Sequence, residues 1–164
     1  MVPVGGLDKL ATFVSLLGAN KLKIAILHDR ASNPHQKLED LVHQKLIEKK
    51  KVLDFSMFRK PDNQETDIED LFPTTLYVDA FNAAYAKQMS GKRLSADALG
   101  KHPRIIERIN QWLTAEGVVL LKEGGFNHYR VAQALLPMLT NGTVSADVIP
   151  RFESLFSRVN SALT

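Results

Sequence analysis

The chain has 164 residues, 45% of them hydrophobic, enough for one packed domain or a compact half with a smaller helical appendage. Its 21 Lys and Arg against 18 Asp and Glu give a formal charge of +3, which permits a nucleic-acid partner without naming one. It contains no cysteine, which excludes disulfides and thiolate metal sites. MVPVGGLDKL lacks a basic segment followed by an apolar core, and no window approaches the ~18 apolar residues of a membrane span, so a cytoplasmic protein without a membrane partner is expected.

Val2 to Val4 is a short apolar run that stops at Gly5-Gly6, and Leu7, Leu10, Ala11, Val14 and Leu17 then recur at helical spacing until Gly18. The expectation is strand, tight turn, helix. Leu22 to Leu27, a continuous apolar stretch with two isoleucines, reads as a strand covered on both faces and ends at His28-Asp29. Asn33-Pro34 is a helix start, with Leu38, Leu41, Val42 and Leu46 on one face and Lys49 to Lys51 at its end, where positive charge suits the helix dipole. Val52 to Phe58 alternates as a third strand. These 58 residues predict a small parallel β-α-β-α-β sheet.

Beyond Pro61 the pattern becomes helical: Thr75 to Gln88, Pro103 to Glu116, Phe126 to Leu136 and Ser145 to Leu163, with only Val118 to Leu121 ambiguous. The last segment carries Val148, Phe152, Leu155, Phe156, Val159 and Leu163 as one apolar stripe. A boundary near Ser90-Gly91 divides an α/β domain, residues 1–90, from a helical domain, residues 91–164. Trp112, among Ile105, Ile109 and Leu113, reads as core.

The acidic segment ETDIEDLF, residues 65 to 72, admits two readings. Thr66 with Glu69 fits a capping box, and Asp67 and Asp70 suit the first turn of a helix whose Ile68, Leu71 and Phe72 share a face. Glu65 lies outside that box, and Asp67 and Asp70 repel one another across three positions. A divalent cation would relieve the repulsion. Asp29, at the carboxyl end of a strand in an open parallel sheet, stands where functional groups gather, and it either braces the following loop or joins the same oxygen-ligand set. Other chemistries lack their motifs. VGGLDK matches neither dinucleotide nor Walker patterns, and the five histidines have no HExxH spacing. Asn141-Gly142-Thr143 matches a glycosylation tripeptide, and with a cytoplasmic chain expected the match reads as chance.

The succession VPVGGLDKLATFVSLL, KIAILHD, ETDIEDLF with Tyr77 following, and FNHYRVAQAL resembles, over roughly residues 2–136, the Toprim nuclease region of the OLD family, ATP-dependent endonucleases in which an ABC-type ATPase carries a Toprim domain and a helical appendage. The resemblance implies a Toprim-like sheet followed by a helical bundle. In that family a first-strand glutamate, an Asp-x-Asp motif and downstream acids hold Mg²⁺ or Mn²⁺ for hydrolysis of DNA phosphodiesters. Asp29 corresponds to the first aspartate of the motif, and Glu65, Asp67 and Asp70 to the downstream acids. The family's lysine segment here reads His128-Tyr129-Arg130, which leaves Arg130 or a protonated His128 as the cation near the phosphate.

The departures define the expected activity. Ala31 stands where the second aspartate belongs, and the first-strand glutamate and the ATPase would lie upstream of Met1. Two-metal cleavage requires two cations ~4 Å apart, so loss of two carboxylates implies a truncated or poorly active form holding one weak cation. An ATPase-bearing chain or a second copy is the expected partner, since the sheet would expose an edge. Two further readings stand beside this one: a non-catalytic interaction module whose acidic segment only caps a helix, and a DNA-binding module using Lys49 to Lys51 with Arg93, Arg104 and Arg108.

Overall fold

The computed structural model describes residues 2–4, 9–32, 35–61, 64–140, 146 and 148–164. The turn at Gly5-Gly6, the helix start at Asn33-Pro34, the tripeptide Asn141-Gly142-Thr143 and Ser145 lie outside the described residues. Among those described, the chain is mixed α/β and mostly helical: α1 (Leu10–Ala19), β1 (Ile26–His28), α2 (Gln36–His43), β2 (Val52–Asp54), α3 (Thr74–Tyr85), α4 (Ile105–Ala115), α5 (His128–Thr140) and α6 (Val148–Leu163). No described helix is long and apolar enough to cross a membrane.

Two compact units share the chain, one of Met1–Thr66 with Phe152–Thr164, the other of Asp67–Arg151. In the first, β1 and β2 pair in parallel, Ile26 with Val52, Leu27 with Leu53 and His28 with Asp54, and α2 supplies the crossover. Leu10 and Val14 of α1, Ile26 of β1, Leu38 and Leu41 of α2, and Ile47 form its apolar cluster.

Four expectations for this unit need correction. The strand expected over Leu22 to Leu27 is confined to Ile26–His28, and Leu22, 56% exposed, is not covered. Val2 to Val4 is not a strand: Val2 is 65% exposed, and Val4 only packs against the apolar cluster, so hydrophobicity there seals a core without extending the sheet. The third strand stops at Asp54, because its carboxylate accepts from the amide of Ser56 at 2.9 Å and turns Phe55–Phe58 into a 3-10 helix. The lysines Lys49–Lys51 do not close α2, which ends at His43; they form a separate 3-10 turn before β2, with Lys50 and Lys51 paired to Glu48.

The second unit is helical. Tyr77, Phe81 and Tyr85 of α3 meet Ile105, Ile109 and Leu113 of α4 and Val131 and Leu135 of α5 in one core. The i, i+4 spacing of each set puts it on one helical face, and burial of these faces is the main stabilising term. Phe81 is fully buried, 5.2 Å edge-on from Phe126 and 5.3 Å from Tyr85. Asn82, buried in α3, is tolerated because its side chain exchanges hydrogen bonds with both main-chain groups of Leu94, at 2.8 and 3.0 Å. Trp112 packs against this core as expected, whereas Val118 to Leu121 is not a strand.

Along α6 the buried positions are Val148, Leu155 and Ala162. Phe156, expected in its apolar stripe, is 53% exposed.

Candidate functional site

Parallel pairing brings the carboxyl ends of β1 and β2 to one edge, and each strand ends in an acid. Asp29 follows His28 directly and is exposed; Asp54, opposite His28 in register, is buried. The His28 ring donates from Nδ1 to the Asp29 carbonyl at 2.7 Å. Asp54 Oδ1 accepts from the Ser56 amide at 2.9 Å and the Ser56 hydroxyl at 2.5 Å, while Oδ2 accepts from Arg30 Nη1 at 3.1 Å. Arg30 also exchanges two main-chain hydrogen bonds with Thr66, at 2.8 and 3.0 Å, in an isolated antiparallel bridge. Thr66 is fully buried, and Glu65 before it is half-buried. The Arg30–Thr66 bridge therefore gathers the loop carrying Asp29 and the segment carrying Glu65 at the sheet's carboxyl edge.

In the second unit the acidic segment folds as a 3-10 turn, Ile68–Leu71, and its capping pair is Asp67 and Asp70 rather than Thr66 and Glu69. Thr66 is unsuited to cap because its backbone is extended against Arg30 and its hydroxyl donates to the Gln64 carbonyl at 2.8 Å. Ile68 is 42% exposed, so only Leu71, fully buried, and the partly buried Phe72 anchor the turn. Asp70 Oδ2 accepts from the Asp67 amide at 2.9 Å, and Asp70 Oδ1 accepts from the Ile105 amide, the first of α4, at 2.7 Å. Asp67 Oδ2 accepts from Arg104 Nε at 2.8 Å.

Glu69 Oε1 lies 3.4 Å from His128 Nδ1, and the His128 ring leans on Phe126 with centroids 4.9 Å apart. Arg130 lies with its guanidinium carbon 4.7 Å above the Tyr85 ring and donates to Gln88 Oε1 at 3.2 Å. Tyr85 in turn accepts from the Asn127 amide at 2.7 Å, and Asn127 Oδ1 accepts from the Arg130 amide at 3.2 Å, capping α5. Arg130 is thus placed by the Tyr85 ring and Gln88 at the start of α5.

Two buried polar atoms of the acidic turn's surroundings, Asp67 Oδ1 and the Tyr77 hydroxyl, have no hydrogen-bond partner among the described residues. Burial pushes the Asp67 carboxyl above the usual aspartate range, against the pull of Arg104. Burial, reinforced by the carboxylates of Glu69, Asp67 and Asp70, pushes the Tyr77 phenol up as well. No family model matches the chain, and no curated protein or solved structure matches it.

The residues expected to form one ligand set come from both units. Asp29 and Glu65 belong to the first unit, while Asp67, Asp70, His128 and Arg130 belong to the second. Among the described residues, no group of three or more His, Asp or Glu is arranged to hold a metal ion. Asp70 has both oxygens on main-chain amides; Asp67 Oδ1 is the oxygen whose chemistry suits a hard cation. Sequence reading passed over Asp54, although it was findable: VLD closes an apolar run with an acid just as ILHD does. Glu69 as a partner of His128 and Arg104 as a partner of Asp67 carried no local signal.

Proposed function

We propose that the chain is the Toprim-like nuclease region of an OLD-type ATP-dependent endonuclease, working in the cytoplasm on DNA phosphodiesters with Mg²⁺ or Mn²⁺. The observation that carries this reading is the acidic carboxyl edge of the β1–β2 pair, where Asp29 and Asp54 leave neighbouring parallel strands and the Thr66 bridge ties in Glu65. In open parallel sheets this edge is where ligands bind. A cation bound there would supply Lewis-acid stabilisation of the phosphoryl oxygens and a more acidic water. The chain would contribute the exposed Asp29 carboxylate and Glu65 as ligands there. Arg130, stacked on Tyr85, and His128, beside Glu69, are the second unit's candidates for a cation that would meet negative charge on a phosphate. Because no group of three or more His, Asp or Glu is arranged to hold an ion among the described residues, the reading assigns the remaining ligands to an ATPase-bearing chain or a second copy.

Incubation with supercoiled DNA and Mn²⁺ tests this directly. Nicking by the native protein that is lost in Asp29→Ala is the expected result, and equal nicking by both proteins, or none by either, removes the catalytic reading.

One observation favours a second reading, a non-catalytic interaction or DNA-binding module with the same fold. Asp67 and Asp70 are engaged by Arg104 and by the amide that starts α4, which is the work of a structural bracket. That reading expects no rise in melting temperature with Mg²⁺ or Mn²⁺, and a clear rise reversed by Asp67→Asn counts against it. DNA binding through Lys49 to Lys51 would weaken steeply with salt.

A further inference from the structure

Arg30 stands at the meeting of three segments in the first unit. Its side chain reaches Asp54 at the end of β2, its main chain is bonded on both sides to Thr66, and it directly follows Asp29. Among the described residues the Arg30–Thr66 pairing is an isolated bridge outside any named strand. Thr66 is fully buried while the Arg30 side chain is 36% exposed, so the bridge is secured on the Thr66 side and open to water on the Arg30 side, where a further contact can hold it.

Asp54 has the geometry for that task. Its side chain is 10% exposed, and its orientation is set from one side by the Ser56 amide and hydroxyl, both on Oδ1. Oδ2 is thereby aimed at Arg30. Capping the Phe55–Phe58 turn needs only Oδ1, so the cap does not account for Oδ2 or for a charge in so buried a place. A buried carboxylate that loses its counter-charge is costly, which makes Asp54 a demanding anchor for the guanidinium.

We propose that Asp54 is a positioning residue: by holding Arg30 it keeps the Arg30–Thr66 bridge closed, and so fixes the two acids that precede these residues, Asp29 and Glu65, at the sheet's carboxyl edge. The consequence for cation binding rests on the reading of the previous section; the tether itself does not. Groups that orient metal ligands from behind are worth ~10-fold or more in metal affinity.

Asp54→Asn separates the two roles of the residue, since the amide oxygen still accepts from Ser56 while an NH₂ replaces the oxygen facing Arg30. Arg30→Met removes the other partner and Arg30→Lys restores a cation. The experiment measures amide hydrogen exchange in residues 29–31 and 64–66 by mass spectrometry, with Mn²⁺ affinity by electron paramagnetic resonance on the same samples. Asp29→Ala serves as the control that removes the candidate ligand while leaving Asp54, Arg30 and Thr66 unaltered in sequence. Asp54→Asn and Arg30→Met are expected to exchange several-fold faster in both segments and to bind Mn²⁺ ~10-fold more weakly, with Arg30→Lys recovering most of both. Asp29→Ala should lose Mn²⁺ with exchange in 64–66 unchanged. Unchanged exchange in Asp54→Asn and Arg30→Met overturns the proposal, as does faster exchange with undiminished Mn²⁺ affinity. Faster exchange in a protein whose native form binds no Mn²⁺ upholds the tether and defeats the cation reading instead.

Discussion

Asp70 Oδ1 accepts a hydrogen bond from the amide of Ile105 at 2.7 Å, joining positions 35 residues apart. Ile105 opens α4, and Arg104 before it provides no side-chain cap of its own. The helix is therefore capped from elsewhere in the unit, by a carboxylate whose second oxygen closes its own 3-10 turn on Asp67. Both partners are buried, Asp70 at 6% and Ile105 at 1% exposure, so water cannot replace the carboxylate.

Asp70→Ala should therefore lower unfolding stability by about 1–3 kcal/mol, the cost of leaving buried donors unpaired. Asp70→Asn, which keeps an acceptor oxygen for one amide, should lose less. Urea unfolding of both variants checks this, and a loss within ~0.5 kcal/mol for Asp70→Ala would show that α4 is held by its apolar face alone.

Asp67 carries a pH dependence of opposite sense to the usual carboxylate. Because burial outweighs Arg104 and raises its value, the folded state keeps this proton to higher pH than the unfolded chain does. The associated stability is full below the unfolded aspartate value of ~3.9 and is lost as pH rises through the raised folded value. Asp67→Asn removes that loss, so its melting temperature relative to the native protein should be more favourable at pH 7 than at pH 4. Thermal melts of both proteins at the two pH values decide the matter; a difference that moves the other way would mean that Arg104 dominates.

Periodicity made the helices legible. The apolar spacing of Tyr77, Phe81 and Tyr85, or of Ile105, Ile109 and Leu113, is a local record of which face is buried, and the structure buries those faces. Strand extents were less legible, because side chains that end a strand act across space: Asp54 turns the chain by binding Ser56, which alternation of apolar residues does not reveal. The acidic segment shows the same limit. Thr66 and Glu69 have the right spacing for a cap, yet Thr66 is drawn to Arg30, 36 positions back by number, and Glu69 to His128. Local rules weigh each carboxylate against its own helix; here Asp67, Glu69 and Asp70 each answer to a partner far along the chain.

Arg130 separates a catalytic from a structural role. Its stacking on Tyr85 is worth about 0.5–1 kcal/mol at a part-exposed site, so Arg130→Met should shift the melting temperature only slightly. If it stabilises charge at the phosphate, the same change should slow DNA nicking by about 10²-fold, the usual cost of losing one such donor. Nicking rates and melts of the same preparation test both halves. Equal nicking by the variant would confine Arg130 to packing.

Phe81 and Tyr85 link the core to that arginine. Phe81→Ala removes a fully buried ring from contact with Tyr85 and Phe126 and should cost about 3–5 kcal/mol. Tyr85→Phe keeps the ring but removes the hydroxyl that accepts from the Asn127 amide, a loss of about 1 kcal/mol. Since Asn127 caps α5 through the Arg130 amide, the platform under Arg130 depends on the same hydroxyl. Tyr85→Ala combined with Arg130→Met should therefore be less destabilising than the sum of the two alone, by about 0.5 kcal/mol or more, because each deletes the same stacking contact. A double-mutant cycle in urea measures this term, and strict additivity would mean that the guanidinium draws its support from Gln88 rather than from the ring.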